Sequence, residues 1–209
     1  IEWWGDVAGT QYDDKSRYER VPTNWEYHDN LKDFLGTGII TDNSFSVAYK
    51  GARAQYYVSG KYAYQKGQVP NTSLNTGGLN FNSSFKLSNT LQLDASLSYN
   101  KVYSPNYPRY GYGPKNHMYT ILIWMGNDVN GKELKEHMYV PGQEGFRQAN
   151  WNYAWYNNPY FASYELEQKM DRGVTDGLLK LNWQILPNLS LQGRASAREI
   201  KTQEDMKSP

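Results

Sequence analysis

Leu79-Asn80-Phe81-Asn82-Ser83-Ser84-Phe85-Lys86-Leu87, then Ser88-Asn89-Thr90, then Leu91-Gln92-Leu93-Asp94-Ala95-Ser96-Leu97-Ser98-Tyr99-Asn100 decides the fold. Leu79, Phe81, Phe85 and Leu87 alternate with Asn80, Asn82, Ser84 and Lys86. After the Ser88–Thr90 turn, Leu91, Leu93, Ala95, Leu97 and Tyr99 alternate with Gln92, Asp94, Ser96, Ser98 and Asn100. A period of two puts each set on its own face of a sheet. The polar set faces water or a wet lumen. The apolar set faces either a soluble core or lipid, and that choice decides the function.

Working outward, the same alternation recurs on both sides. Upstream, Phe45, Val47 and Tyr49 lead through a turn at Gly51-Ala52 into Ala54, Tyr56, Val58, Gly60, Tyr62 and Tyr64. Downstream, Gly177, Leu179, Leu181, Trp183 and Ile185 lead through Pro187-Asn188 into Leu189, Leu191, Gly193, Ala195 and Ala197. Three hairpins are therefore expected. Gly67 to Gly78 reads as a loop of moderate length. Ser104 to about Arg172 reads as a long irregular insert, punctuated by Pro105, Pro108, Pro114, Pro141 and Pro159. Inside it Met118, Ile121, Leu122 and Met125 fall on one face of a short helix. Residues 1–38 show no sustained period beyond a helical turn at Asn30–Leu35, which Gly36 and Gly38 end.

Short connections (51–52, 88–90, 187–188) thus alternate with longer ones (67–78, 104–172). A soluble sandwich has no reason to keep that asymmetry. A transmembrane barrel has one, with short turns on the periplasmic side and long loops outside. The runs last about 10–14 residues, above the roughly 5–6 of globular strands and long enough for tilted membrane strands. Leu91, Leu93, Leu97, Leu179, Leu181 and Trp183 are the expected lipid-facing positions. Tyr49, Tyr56, Tyr62, Tyr64 and Tyr99 are the expected interfacial girdle, where a ring body is apolar and its hydroxyl stays wet. Lys50, Lys61, Lys86, Asp94, Lys180, Arg194 and Arg198 fall on the opposite face, which requires a wide aqueous interior.

Composition narrows the classes. The 209 residues include 19 Tyr and 7 Trp but no Cys, which removes disulfide, thiol-metal and thiol-redox chemistry. A formal charge of +1 argues against a nucleic-acid partner, which needs a basic stripe. No apolar run approaches the about 18 residues of a membrane helix. The chain opens on Ile1-Glu2-Trp3-Trp4 with neither Met nor a signal peptide, as expected of a mature or cut piece. Six strands fall short of the about eight of the smallest membrane barrels. An open sheet in lipid strands backbone groups at its edges, so the membrane reading makes this chain part of a larger barrel.

At this point the residues resemble a family. Thr23-Asn24-Trp25, Phe34-Leu35-Gly36-Thr37-Gly38 and the hairpin end Tyr64-Gln65-Lys66-Gly67-Gln68-Val69-Pro70-Asn71-Thr72 look like the mid-barrel region of SusC/RagA-type TonB-linked outer-membrane proteins. Met118-Tyr119 ahead of Ile121–Trp124, Asn150-Trp151, Asn158-Pro159-Tyr160-Phe161 and Asp171-Arg172 keep the same order. The resemblance implies an all-β fold, part of an antiparallel barrel of about 22 strands, in the outer membrane of a Gram-negative, Bacteroidota-type bacterium. It also implies a plug, a SusD-like surface lipoprotein as lid, energy from TonB, and pairing of two transporter–lid units. The implied cargo is an oligosaccharide or, in some members, a peptide. The matching organisation is an extracellular region at 1–38, barrel strands at 39–103, an extracellular loop at 104–172, a barrel hairpin at 173–200, and the start of the next loop at 201–209.

No catalytic set is visible. His28, His117 and His137 lack close ligand spacing, and Asp128–Glu133 lacks the spacing of a calcium loop. Asp13-Asp14 or Glu165 with Glu167 would need a separation that sequence does not give. No cofactor is called for. Binding is better represented: Tyr107, Arg109, Tyr110, Asn116, Trp124, Trp151, Trp155, Tyr156 and Tyr160 interleave flat rings with amide and guanidinium donors, a pattern suited to a glycan, a peptide or the lid protein. A soluble or secreted all-β carbohydrate-binding domain, or a secreted glycosidase, remains open from the residues alone.

Overall fold

The computed structural model describes residues 2–4, 20–22, 24–151 and 156–208. Asp13, Asp14, Tyr153 and Trp155 lie outside the described residues. A short ribbon pairs β1 (Glu2–Trp4) with β2 (Arg20–Pro22). The main body is one antiparallel sheet in sequence order: β3 (Ile39–Lys50), β4 (Ala54–Lys66), β5 (Ser73–Lys86), β6 (Leu91–Asn106), β7 (Gln168–Leu186) and β8 (Leu189–Met206). Each strand pairs only with its chain neighbours, so the sheet is an open meander whose edges, β3 and β8, have no partner on their outer sides among the described residues.

The alternation read from the sequence sets the register. Tyr49 pairs with Tyr56, Val47 with Val58, and Phe45 with Gly60. Phe81 pairs with Leu97, Phe85 with Leu93, and Leu93 in turn with Leu181. A slip of one residue anywhere would send an apolar set to the polar face. Gly60 leaves room for the Phe45 ring: a Cβ built there would sit 2.4 Å from that ring.

Strand ends differ from expectation in one place. The loop expected at 67–78 is only a turn at 67–72, and β5 already begins at Ser73. Gly77 and Gly78 read as loop residues, yet they sit in the ladder opposite Tyr62 and Lys61. Gly78 is small because of its neighbours, with Asn100 Oδ1 2.9 Å from where a Cβ would be. The insert shortens correspondingly to 107–167, and the β7–β8 hairpin extends beyond 173–200 at both ends. The alternation of short and long connections survives these changes.

The insert folds into a small helical unit containing α2 (His117–Tyr119), α3 (Gly131–Glu136) and α4 (Pro159–Tyr164). Asn116, Asn130 and Asn158 cap the three helices with their side-chain oxygens. The expected regular helix through Met118–Met125 is replaced after α2 by a wide turn, Thr120–Trp124, closed by the Met125 amide donating to the Thr120 carbonyl at 2.9 Å. The i→i+5 closure rotates the apolar face. Ile121 and Met125 are buried, while Leu122, expected beside them, turns outward.

Residues 1–38 and the insert are not independent. Helix α1 (Asn30–Phe34) docks into the insert through Asn30, whose amide donates to the Gly126 carbonyl (3.2 Å) and whose oxygen accepts from the Gly131 amide (3.0 Å). Phe34, Ile121, Met125, Val129, Leu134 and Tyr160 form the shared core. Burial contributes roughly 1.5–3 kcal/mol per large side chain, and the core anchors the insert over one end of the sheet.

Candidate functional site

One face of the sheet is an apolar band, uncovered among the described residues. It carries Phe45, Val47, Val58, Phe81, Leu91, Leu93, Leu97, Leu179, Leu181 and Leu191, with no second layer over them among the described residues: Leu97 is 54% exposed and Leu179 56%. Five strand intervals of about 4.8 Å and the eight-residue rise from Leu91 to Tyr99 make the band on the order of 650 Å². The largest apolar patch on an ordinary monomer is about 300–600 Å². Water alone is a poor neighbour for this face.

Aromatic rings bound the band toward both ends of its strands. Tyr62 is level with Gly77 and Lys101; Tyr99 lies two residues below Lys101, across two strand intervals. Tyr56 is level with Ser83, Ala95 and Leu179; Trp183 lies four residues lower, across three intervals. Tyr49 stands level with Tyr56, and Tyr64 level with Asn75 and Tyr103, so the rings form two bordering groups, one toward each end of the strands. Beyond the upper group the same face turns ionic, with Lys169 paired to Asp205 and Lys207 to Glu165 near the strand ends.

The opposite face is a polar lattice. Asp94 accepts from Ser84 (2.7 Å), Gln92 (2.7 Å) and Asn182 (3.1 Å) and pairs with Lys180 at 3.2 Å. Gln192 donates to Asn182, and Arg198 to Asp176. Such groups need water or each other, so this face is wet.

The insert covers the long-connection end of the polar face. Asn106 donates to the Ser163 carbonyl (2.8 Å) and accepts from the Gln168 amide (3.0 Å), and the fully buried Ser104 hydroxyl donates to the Ser73 carbonyl. Between insert and sheet lies a cavity of about 610 Å³. Tyr107, Arg109, Tyr110 and Asn116, four of the residues singled out from sequence, line it together, with Leu35, Val69, Leu74 and Met118 as apolar wall. Gln65 and Gln68 also line it. Sequence reading missed both, although Gln65 stands on the polar face of β4 at the long-connection end. The Asn116 side chain is occupied locally, accepting from the Tyr119 amide and donating to the Gly111 carbonyl. The Tyr107 hydroxyl meets the Gln168 amide group.

Three other candidates form a second group. The Trp124 ring stacks on Tyr156 at 5.1 Å, Trp151 stacks on the other end of Tyr156 at 6.0 Å, and Tyr112 and Tyr119 continue the run. With Leu122 and Ile123 exposed beside them, the wide turn presents an apolar knob to solvent. Tyr160 belongs to neither group. It is 2% exposed, packs edge-on to Phe34 and directs its hydroxyl to the Asp33 carbonyl, so it is a core residue rather than a contact surface. Burial pushes its phenol up to about 12.

His117 gives the insert a pH response. Its ring is 3% exposed, lies against Phe34, and neither ring nitrogen has a partner among the described residues. Burial, and then the Arg109 charge, lower its pKa to about 4. The unfolded chain takes up this proton near pH 6.5, whereas the folded chain resists it until about pH 4. Stability is therefore full above pH 6.5 and falls between pH 6.5 and 4, by about 3 kcal/mol. His117→Phe is expected to flatten the insert's stability across that window, read by tryptophan fluorescence during denaturant unfolding at pH 7 and pH 4.5.

No family model and no curated protein matches the chain.

Proposed function

We propose that this chain forms part of the wall and outer vestibule of a SusC/RagA-type outer-membrane importer. The wall is the six-stranded sheet with its apolar face in lipid and its polar lattice lining a wide channel. The insert, with α1, is the extracellular vestibule, and the short turns at 51–53, 87–90 and 187–188 lie at the periplasm. The cargo is an oligosaccharide or peptide. A SusD-like lipoprotein covers the vestibule, where the Trp124, Tyr156 and Trp151 stack offers a landing surface for lid or cargo. TonB acts through parts outside these residues, and two transporter–lid units pair.

One observation carries this reading: an apolar band, uncovered among the described residues and bordered toward both strand ends by aromatic rings. Rings at both borders of an apolar band suit the two interfaces of a membrane, where an apolar ring body and a wet polar tip are both satisfied. A soluble carbohydrate-binding domain explains the aromatic insert but leaves the band wet. The edges of β3 and β8, unpaired among the described residues, are incompatible with hydrocarbon, so in this reading they meet further strands of the barrel.

Leu93→Cys and Ser96→Cys stand on opposite faces of β6. In membranes carrying the intact protein, a water-soluble maleimide is expected to label Ser96→Cys and spare Leu93→Cys. Equal labelling, with recovery of the protein from the aqueous fraction without detergent, would sink the membrane reading.

A further inference from the structure

We propose that the cavity beneath the insert binds the carboxylate of a cargo molecule, received end-on by Arg109. This deepens the importer reading, because it takes the polar face of the sheet as the channel side. Arg109 is half-buried in the cavity wall. Its Nε donates to the Leu166 carbonyl at 3.4 Å, and it makes no ion pair among the described residues. Lys132 of the insert lies against Asp33, and Lys207, just past β8, against Glu165. The two terminal amino groups of Arg109 have no hydrogen-bond acceptor among the described residues.

A guanidinium against a mainly apolar wall without a counter-ion is a costly arrangement. Its planar fork matches the two oxygens of a carboxylate. Its positive field is already felt at His117, whose protonation it opposes. The carboxylate of Glu204 is felt at the Tyr107 hydroxyl yet does not pair with Arg109. One cation suits one negative charge, which favours a carboxylate over a dianionic phosphate. The Gln65 and Gln68 amides, neither of them hydrogen-bonded within the described residues, supply directed contacts for the rest of the ligand. Tyr110, 87% exposed, stands at the rim as a flat wall for a sugar or side-chain face. Asn116, already occupied as a cap, takes no part.

The ligand carboxylate has two sources, an acidic sugar or the C-terminus of a peptide. The experiment is calorimetry on the intact protein in detergent with four probes: trigalacturonate, its methyl ester, a tripeptide with a free C-terminus, and the same tripeptide amidated. At least one acid is expected to bind about tenfold or more tighter than its neutral counterpart, and which pair shows the difference identifies the source. Arg109→Gln is expected to abolish that preference, while Arg109→Lys keeps part of it. Equal binding of acid and neutral forms, binding of neither acid, or an unchanged preference in Arg109→Gln would each overturn the proposal. If Arg109→Gln does not fold, the acid–neutral comparison on the unmutated protein still decides. The labelling of Leu93→Cys does not involve Arg109, so failure of the carboxylate site and failure of the membrane reading are separately visible.

Discussion

Leu93→Arg is expected to lower the stability of the folded protein in lipid vesicles by about 2–4 kcal/mol, whereas Ser96→Arg changes it by less than about 0.5. Leu93 stands in the middle of the apolar band, flanked in register by Phe85 and Leu181. An arginine there must carry its charge into hydrocarbon or deform the bilayer around it. Ser96 lies on the wet face between Asn82 and Leu178, where the same guanidinium keeps its hydration. Arginine alone does not separate lipid from a protein core, since both reject it. Leu97→Trp does. Lipid accommodates a larger apolar side chain without rearrangement, so no loss is expected, while a close-packed core would lose about 1–3 kcal/mol to overpacking. Equilibrium denaturant titration of all three variants in vesicles supplies the comparison. A loss for Leu97→Trp comparable to that for Leu93→Arg would mean that protein, not lipid, covers this face.

The sheet was largely legible because its determinants are local. Alternation in Leu79–Leu87 and Leu91–Asn100 needs only the neighbouring residues to assign faces, and turn residues such as Pro187-Asn188 fix where the chain reverses. Gly77 and Gly78 misled the reading because small size there answers to cross-strand neighbours, Lys61 and Asn100, rather than to a turn. The insert was poorly legible for the same physical reason on a larger scale. Asn30 bonds to Gly131 across 101 positions, and no local pattern announces it. Tyr160 looked like a contact residue among other exposed rings until the packing of Phe34 enclosed it. The cavity was half legible: clustered aromatics and Arg109 in one segment pointed to it, whereas Gln65, Gln68 and Leu74 come from β4, β5 and the turn between them, which only the fold brings near.

Asn158→Ala is expected to unfold the insert locally while leaving the sheet intact. Asn158 is fully buried and holds four partners at once. Its Nδ2 donates to the Leu134 and Ala149 carbonyls at 2.8 and 2.9 Å, its Oδ1 accepts from the Tyr160 amide at 3.0 Å, and its own amide donates to Gln148. Alanine keeps only the last of these. Two carbonyls and one helix-end amide are then left buried without partners, and α4 loses its cap. Each orphaned group costs about 1–3 kcal/mol, the Tyr160 amide that Asn158 capped among them. Partial relaxation with water entry holds the total near 3–5 kcal/mol. An isolated unit of this size has a stability on that order, so α3 and α4 are expected to open together. The six-stranded sheet keeps its hydrogen bonds, because neither Asn158 nor its four partners belong to a strand of it. Hydrogen exchange is the direct measurement: amides of 117–166 lose protection, and those of β4, β5 and β6 do not. Uniform loss across the sheet would show that the insert holds the strands together rather than resting on them, and would remove the separation between wall and vestibule on which the functional reading stands.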